Sequence, residues 1–238
     1  MHGDADIASI ASVIGHPARG RMLTALFRGP GMSASELAAE ARVSPSTASA
    51  HLAKLTESGL VIAERDGRRR LHRLADARVA EVIEGLALIA PPYAVRSLRD
   101  GNRAAAERAA RSCYDHLAGA AGVAVTERLC ALGALHADGL QLADPAPFVA
   151  LGVDVQAVRE RRGRRPLTRS CLDWSERRPH LAGALGAALL QRLLDEGWLV
   201  RRPRGRAVNV TPRGAAELRA AIGLDLAAVE PGSLRRAA

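Results

Sequence analysis

Between Ser44 and Gly59 the chain carries a helix with both ends written into its residues, and this stretch constrains what can surround it. Ser44 can accept from the first free backbone N–H groups of a helix, Pro45 suits the first helical position, and Gly59 supplies a left-handed residue that stops it. Ala48, Leu52 and Leu55 recur at spacings of four and three and form an inner stripe. The other face carries Ser46, Thr47, Ser49, Ala50, His51 and Lys54, small or hydrogen-bonding groups that can lie in a DNA major groove.

The flanking segments fit that reading. Ile7, Ile10, Val13 and Ile14 predict a first helix ending at Gly15; Pro17 opens a second, with Met22, Leu23, Leu26 and Phe27, broken by Gly29-Pro30-Gly31. Ser33 and Glu36 have capping-box spacing for a third helix with Leu37, Ala38 and Ala41 inside, and Arg42-Val43 turns into the helix at Ser44. A short capped helix, a turn and a second capped helix is the helix-turn-helix plan. Downstream, Leu60 to Arg65 reads as a strand, Asp66-Gly67 as a hairpin turn, and Arg68 to Leu74 as the returning strand. In this wing Arg65, Arg68, Arg69 and Arg70 would lie over phosphates or a minor groove, while Ser44, Ser46, Thr47, Ser49, His51 and Lys54 face the bases. The plainer alternative is an arginine hairpin that only protects a sheet edge.

A length of 238 residues suits two domains, and a net charge of +9 suits a polyanionic partner. Lys54 is the single lysine, so the arginine excess also fits a GC-rich coding sequence. No run approaches the roughly 20 apolar residues of a membrane span, and the N-terminal residues lack the pattern of a signal peptide. A soluble, cytoplasmic protein without a membrane partner is expected. Cys113, Cys130 and Cys171 are too few, and of the wrong parity, for a disulfide framework.

The first 90 or so residues resemble the winged helix-turn-helix domain of the arsenic-repressor (ArsR) family of bacterial regulators. The likeness rests on Pro17-Ala18-Arg19 with Met22-Leu23, on Glu36-Leu37-Ala38, on Val43 through Leu52, and on Gly59-Leu60-Val61 before the wing. It implies a homodimer on a pseudo-palindromic DNA operator, with the terminal helices as the dimer contact. Ala77 to Ala90, with Val79, Val82, Ile83, Leu86 and Ile89 on one face, fits that role; an ordinary packing helix is the alternative. Two of the family's metal-binding patterns are missing: the helix before the reader has no Cys-x-Cys, and the helix from Asp76 to Ala90 has no histidine. Any effector must then be taken by the rest of the chain.

Beyond a polar connector helix running from Tyr93 and including Arg96 and Arg111, the second half contains an internal repeat. Cys113-Tyr114-Asp115-His116-Leu117-Ala118-Gly119 recurs as Cys171-Leu172-Asp173 and, after an insertion, His180-Leu181-Ala182-Gly183. The histidines stand 64 residues apart, as do Gly133 and Gly197, and the tails Gly152 to Val158 and Gly223 to Val229 stand 71 apart. The second copy reads as helix, hairpin and helix, with Pro203-Arg204-Gly205 in the hairpin loop and Thr211-Pro212 starting the last helix. Two winged-helix-like repeats are expected, at 113–158 and 171–238, joined by a basic, solvated linker at 159–170 and preceded by the connector at 91–112. The whole is mainly α with small β-hairpin wings, following the winged helix-turn-helix at 1–90.

The repeat sets Cys113, Asp115, His116, Cys171, Asp173 and His180 in two equivalent places. Thiolate, imidazole and carboxylate form a borderline-soft set for zinc, nickel or cobalt. Reversible thiol oxidation, an organic effector held with Tyr114, Trp174, Glu176, Arg177 and Arg178, and a purely structural role with Asp as helix cap are the alternatives. Cys130, whose counterpart is Leu194, reads as a core residue. The function expected is an operator-binding transcriptional regulator, a repressor released by a metal ion or small effector in the C-terminal repeats. A constitutive architectural DNA binder is the alternative. A Cys-His-Asp enzyme is more remote, since neither cysteine lies beside an oxyanion-hole loop, a phosphate-binding glycine loop or a nucleophile elbow.

Overall fold

The computed structural model describes residues 4–27, 31–91, 95, 97–203 and 205–226. Gly29-Pro30 in the predicted break, Tyr93 and Arg96 of the connector, Arg204 of the second hairpin and the tail through Val229 lie outside them. The chain divides into two compact units, Met1–Leu86 and Ala87–Ala238.

In the first unit Asp6 caps α1 (Ile7–Ile14) and His16 caps α2 (Pro17–Leu26). Arg19, though basic, is buried, because its guanidinium donates to the carbonyls of Ser12 and Val13 at the end of α1 and satisfies acceptors the helix leaves open. The capping box at Ser33 and Glu36 is formed and starts α3 (Ala34–Ala41); Arg42, at φ 57°, turns the chain into α4 (Pro45–Glu57). Ala48, Leu52 and Leu55 are buried, as their spacing requires, together with Met22, Leu23, Phe27 and Leu37.

The wing is β2 (Val61–Asp66) against β3 (Arg69–Leu74). Its turn differs by one residue from expectation: Asp66 pairs with Arg69, so the turn is Gly67-Arg68, with Gly67 at φ +58° where a side chain would be strained. A two-residue strand that hydrophobic pattern did not reveal, β1 (Met32–Ser33), adds to the free edge of β3 and completes an antiparallel sheet in the order β1-β3-β2. The last helix of the unit, α5, spans Ala77–Ile89.

The second unit begins, among its described elements, with α6 (Leu98–Ala109), capped by Ser97. Each copy of the repeat then opens on an antiparallel hairpin that runs directly into a helix. The first copy has β4 (Arg111–Cys113), β5 (His116–Ala118) and α7 (Gly119–Ala131); the second has β6 (Arg169–Leu172), β7 (Pro179–Ala182) and α10 (Gly183–Asp195). The helices cross over: α10 packs on β5 and α7 on β7. Gly122 and Gly186 explain why the repeat keeps glycine there, since an added Cβ would lie 2.5 Å from the Leu117 carbonyl oxygen and 2.6 Å from that of Leu181. Both copies share one apolar core, which runs from Leu117, Val125 and Leu129 through Phe148 to Leu185, Leu190 and Leu193.

Four expectations for this half are corrected. Arg111 is not on a connector helix but in β4, fully buried. The Cys-x-Asp segments lie in hairpins, which differs from the helix starts that the alternative with Asp as helix cap supposed. The first copy has no second hairpin like β8 (Leu199–Arg201) and β9 (Val208–Val210); Leu135 and Leu142 form a single bridge, followed by α8 (Ala146–Ala150), where the second copy has the longer α11 (Pro212–Ile222). Residues 159–170 are built into the fold instead of linking two bodies: Arg159 and Arg161 belong to α9 (Val155–Arg161), and the Pro166 and Leu167 carbonyls accept from Ala184 and Leu185 at the start of α10.

Candidate functional site

The outer face of α4 is built by its cap. The Ser44 hydroxyl accepts from the Thr47 N–H at 3.2 Å and lies 2.8 Å from the Thr47 hydroxyl and 3.0 Å from that of Ser46, so Ser44 acts as cap more than as free reader. Ser49 donates back to the Pro45 carbonyl, a bond that a hydroxyl on a helix makes when no outside partner competes. Ser46, Thr47, Ser49 and Lys54 are exposed. His51 is half-buried against His16, with ring centroids 4.3 Å apart. Burial, and after it the neighbouring His16, Arg19 and Lys54, hold the His51 imidazole below its ordinary range.

On the wing, Arg65, Arg68, Arg69 and Arg70 are all exposed, and Arg65 stands directly across the ladder from Arg70. Like charges in that position oppose strand pairing, which a polyanion would relieve. Arg73 is instead paired with Glu64.

The second unit brings four of the six repeated Cys, Asp and His residues together. Cys113 is the cross-strand partner of His116, and Cys171 of His180, so each hairpin presents one thiol and one imidazole side by side. The two pairs converge until one donor atom from each residue lies within 4.8 Å of all the others. The sulfurs are 4.0 Å apart and the imidazoles stack with centroids 5.1 Å apart. His116 and His180 are buried, as is Cys113, and Cys171 is half-buried. His116 Nε2 and both ring nitrogens of His180 find no oxygen or nitrogen partner; the Cys171 sulfur is what both imidazoles lie against.

The aspartates stand one layer outside. Asp115 takes two hydrogen bonds from Arg165, at 2.6 and 3.0 Å, and its Oδ1 lies 3.3 Å from His116 Nδ1. Asp173 accepts from Arg111 at 2.8 Å, from the Gly119 N–H at 2.7 Å and from Ser175, and lies 3.9 Å from His180 Nδ1. It thus caps the helix of the other copy, not its own. Burial works to raise the Asp173 carboxyl, but Arg111 and then His180 outweigh it and hold the group well below the usual range; at Asp115 burial is likewise outweighed, by His116 and Arg165. The Cys113 thiol, and after it the two imidazoles, push the Cys171 thiol down to about 2 against its burial.

The five residues named for an organic-effector cleft have these settings. Trp174 lies under the Arg111 guanidinium at 4.6 Å, Arg178 pairs with Glu127 at 2.6 Å, Glu176 is buried, Arg177 is exposed and Tyr114 sits in the first hairpin turn at φ +58°. Sequence reasoning missed Arg111 and Arg165 as partners of the aspartates. A signal for the first was present: Arg111-Ser112-Cys113 recurs as Arg169-Ser170-Cys171, which extends the repeat two residues upstream at the 58-residue spacing of the cysteines.

A capped reader helix beside a basic hairpin makes the first unit a winged helix-turn-helix DNA-binding domain. A family model described as a helix-turn-helix domain matches residues 14–63. Over 213 residues the chain is 43% identical to the uncharacterized HTH-type transcriptional regulator YdfF of Bacillus subtilis (strain 168), across 88% of this chain and 93% of that protein. It is 34% identical over 79 residues to the HTH-type transcriptional regulator YgaV of Escherichia coli (strain K12), across 33% of this chain and 80% of that one. The chain belongs to the family of HTH-type transcriptional regulators. Among solved structures it is similar to the transcriptional repressor BigR from Xylella fastidiosa, at 27% identity and a TM-score of 0.34, with 37% of this chain and 89% of that chain covered. The homodimeric winged helix-turn-helix domain of Mb0332 from Mycobacterium bovis is 25% identical at a TM-score of 0.32, with 37% and 89% covered. Among the described residues no helix is long and apolar enough to cross a membrane.

Proposed function

We propose that the protein is a homodimeric repressor that grips a pseudo-palindromic operator with α4 and the wing of each protomer. It lets go when an effector occupies the C-terminal unit at Cys113, His116, Cys171 and His180. The observation that carries the DNA half is the exposed, hydroxyl-rich face of α4 followed directly by a wing with Arg65 opposed to Arg70. Self-association is supported by apolar side chains that the single chain leaves in water on its two terminal helices, Ile7 on α1 and Val82, Leu86 and Ile89 on α5. The effector half is supported by the cluster of two thiols and two buried imidazoles.

Selection of bound duplexes from a random pool, followed by anisotropy titration with and without effector, tests this function. An enriched palindrome is expected, with affinity falling about 10–100-fold when the effector binds, a coupling of about 1.4–2.7 kcal/mol. Equal affinity for selected and random duplexes would make the protein an architectural binder instead.

A further inference from the structure

We infer that Cys113, His116, Cys171 and His180 form one closed, four-coordinate site for a zinc-class cation, with two ligands from each copy of the repeat. This deepens the effector reading by naming what the second unit takes, and the site can stand even where that reading fails.

Geometry carries the inference. In each hairpin the cysteine and histidine are direct cross-strand partners, and the crossed packing of α7 and α10 brings the two pairs face to face. The sulfur separation of 4.0 Å compares with about 3.8 Å for the edge of a tetrahedron whose metal–sulfur bonds are about 2.3 Å. His116 Nε2 and both ring nitrogens of His180 are buried with no oxygen or nitrogen partner, and both imidazoles lie against the Cys171 sulfur. An ion at the centre of the cluster would satisfy one nitrogen of each ring.

At His116 the surroundings repeat the pattern of metal-bound histidine. Asp115 stands 3.3 Å from Nδ1 of His116, and Asp173, at 3.9 Å from Nδ1 of His180, is beyond hydrogen-bond reach and contributes its charge. The donor set selects the ion. Two sulfurs and two imidazoles hold a borderline-soft cation in four-coordinate geometry, whereas calcium and magnesium require oxygen donors that the cluster does not present. As the ion binds, each thiol still protonated gives its proton to water, and two thiolates neutralise one dication. Cys130, on α7 and half-buried against the apolar core, serves as an internal control.

The test uses the full chain, purified under reducing conditions without a metal-binding tag. Elemental analysis should find about one zinc per chain, and stripped protein given cobalt(II) alone should show the visible absorption of tetrahedral cobalt with thiolate charge-transfer bands. Cys113→Ser and Cys171→Ser should each weaken binding by about tenfold or more, and Cys130→Ser should not. Should either serine variant fail to fold, alkylation of the wild-type chain decides: zinc should protect Cys113 and Cys171, and a chelator should expose them. Reduced protein that takes up neither zinc nor cobalt(II), metal retained after loss of both Cys113 and Cys171, or a Cys113–Cys171 disulfide as the only responsive form would each overturn the site. Equal operator affinity of loaded and stripped protein would overturn the effector reading alone.

Discussion

Oδ1 of Asp115 lies 3.3 Å from Nδ1 of His116, while the same carboxylate is clamped by Arg165 at 2.6 and 3.0 Å. The imidazole is therefore oriented from outside, by a residue anchored to the chain between the two copies. On the zinc-site proposal Asp115 positions His116, and Arg165 holds Asp115.

Asp115→Asn should weaken zinc binding about 10–100-fold with the overall fold retained, because an amide orients and polarises the imidazole less well than a carboxylate. Competition against a chromophoric chelator measures the affinity, and the cobalt(II) spectrum reports ligand geometry. Arg165→Gln should produce a smaller loss. A change in folding stability with unaltered zinc affinity and cobalt spectrum would show that Asp115 is only structural.

Arg111 and Asp173 form an ion pair in which both side chains are fully buried. Removing one partner strands the other charge away from water, so Arg111→Met should cost about 3–5 kcal/mol. Urea unfolding followed by tryptophan fluorescence is well placed to measure it, since both tryptophans, Trp174 and Trp198, belong to the second unit. Changing Asp173→Asn in the same chain should recover part of the loss. A cost under about 1 kcal/mol for Arg111→Met would mean that the pair contributes little to the fold.

The DNA-binding unit should separate affinity from specificity. Arg69→Ala should weaken operator and random DNA alike and make the salt slope shallower by about 0.9 for each phosphate that the arginine neutralises. Thr47→Ala and His51→Ala should cost about 1–3 kcal/mol on the operator and alter base preference. A wing substitution that changed preference at one base pair would reverse this division of roles.

Leu86 on α5 remains 42% exposed in the single chain and Val82 51% exposed. Leu86→Glu with Val82→Glu should therefore leave the protomer folded while sedimentation shifts to monomer and operator binding falls. Retention of the dimer would place its interface elsewhere.

Much of the first unit was legible because its signals are local. Ser44, Pro45 and Gly59 act within one helix, the capping box at Ser33 and Glu36 closes over three residues, and the alternation through Val61 to Leu74 needs only the adjacent strand. The misplacement of the wing turn by one residue at Asp66 is a matter of register, which pairing decides. Strand β1 escaped notice because two residues carry no periodicity; it exists because Met32 and Ser33 find the free edge of β3.

In the second unit the repeat announced which residue types recur, but neither their backbone setting nor their partners. Cys113 and His116 are three residues apart, a spacing that fits one face of a helix as readily as the two sides of a tight turn; Tyr114 at left-handed φ settles it for the turn. The chain by itself determined a capped reader helix, a basic wing and a doubled Cys-Asp-His pattern, since caps, turns and repeats act over a few residues. Only the tertiary structure sorted that pattern into four clustered donors and two aspartates bound to Arg111 and Arg165, because the burial and charge pairing that decide it join residues 50 to 62 positions apart.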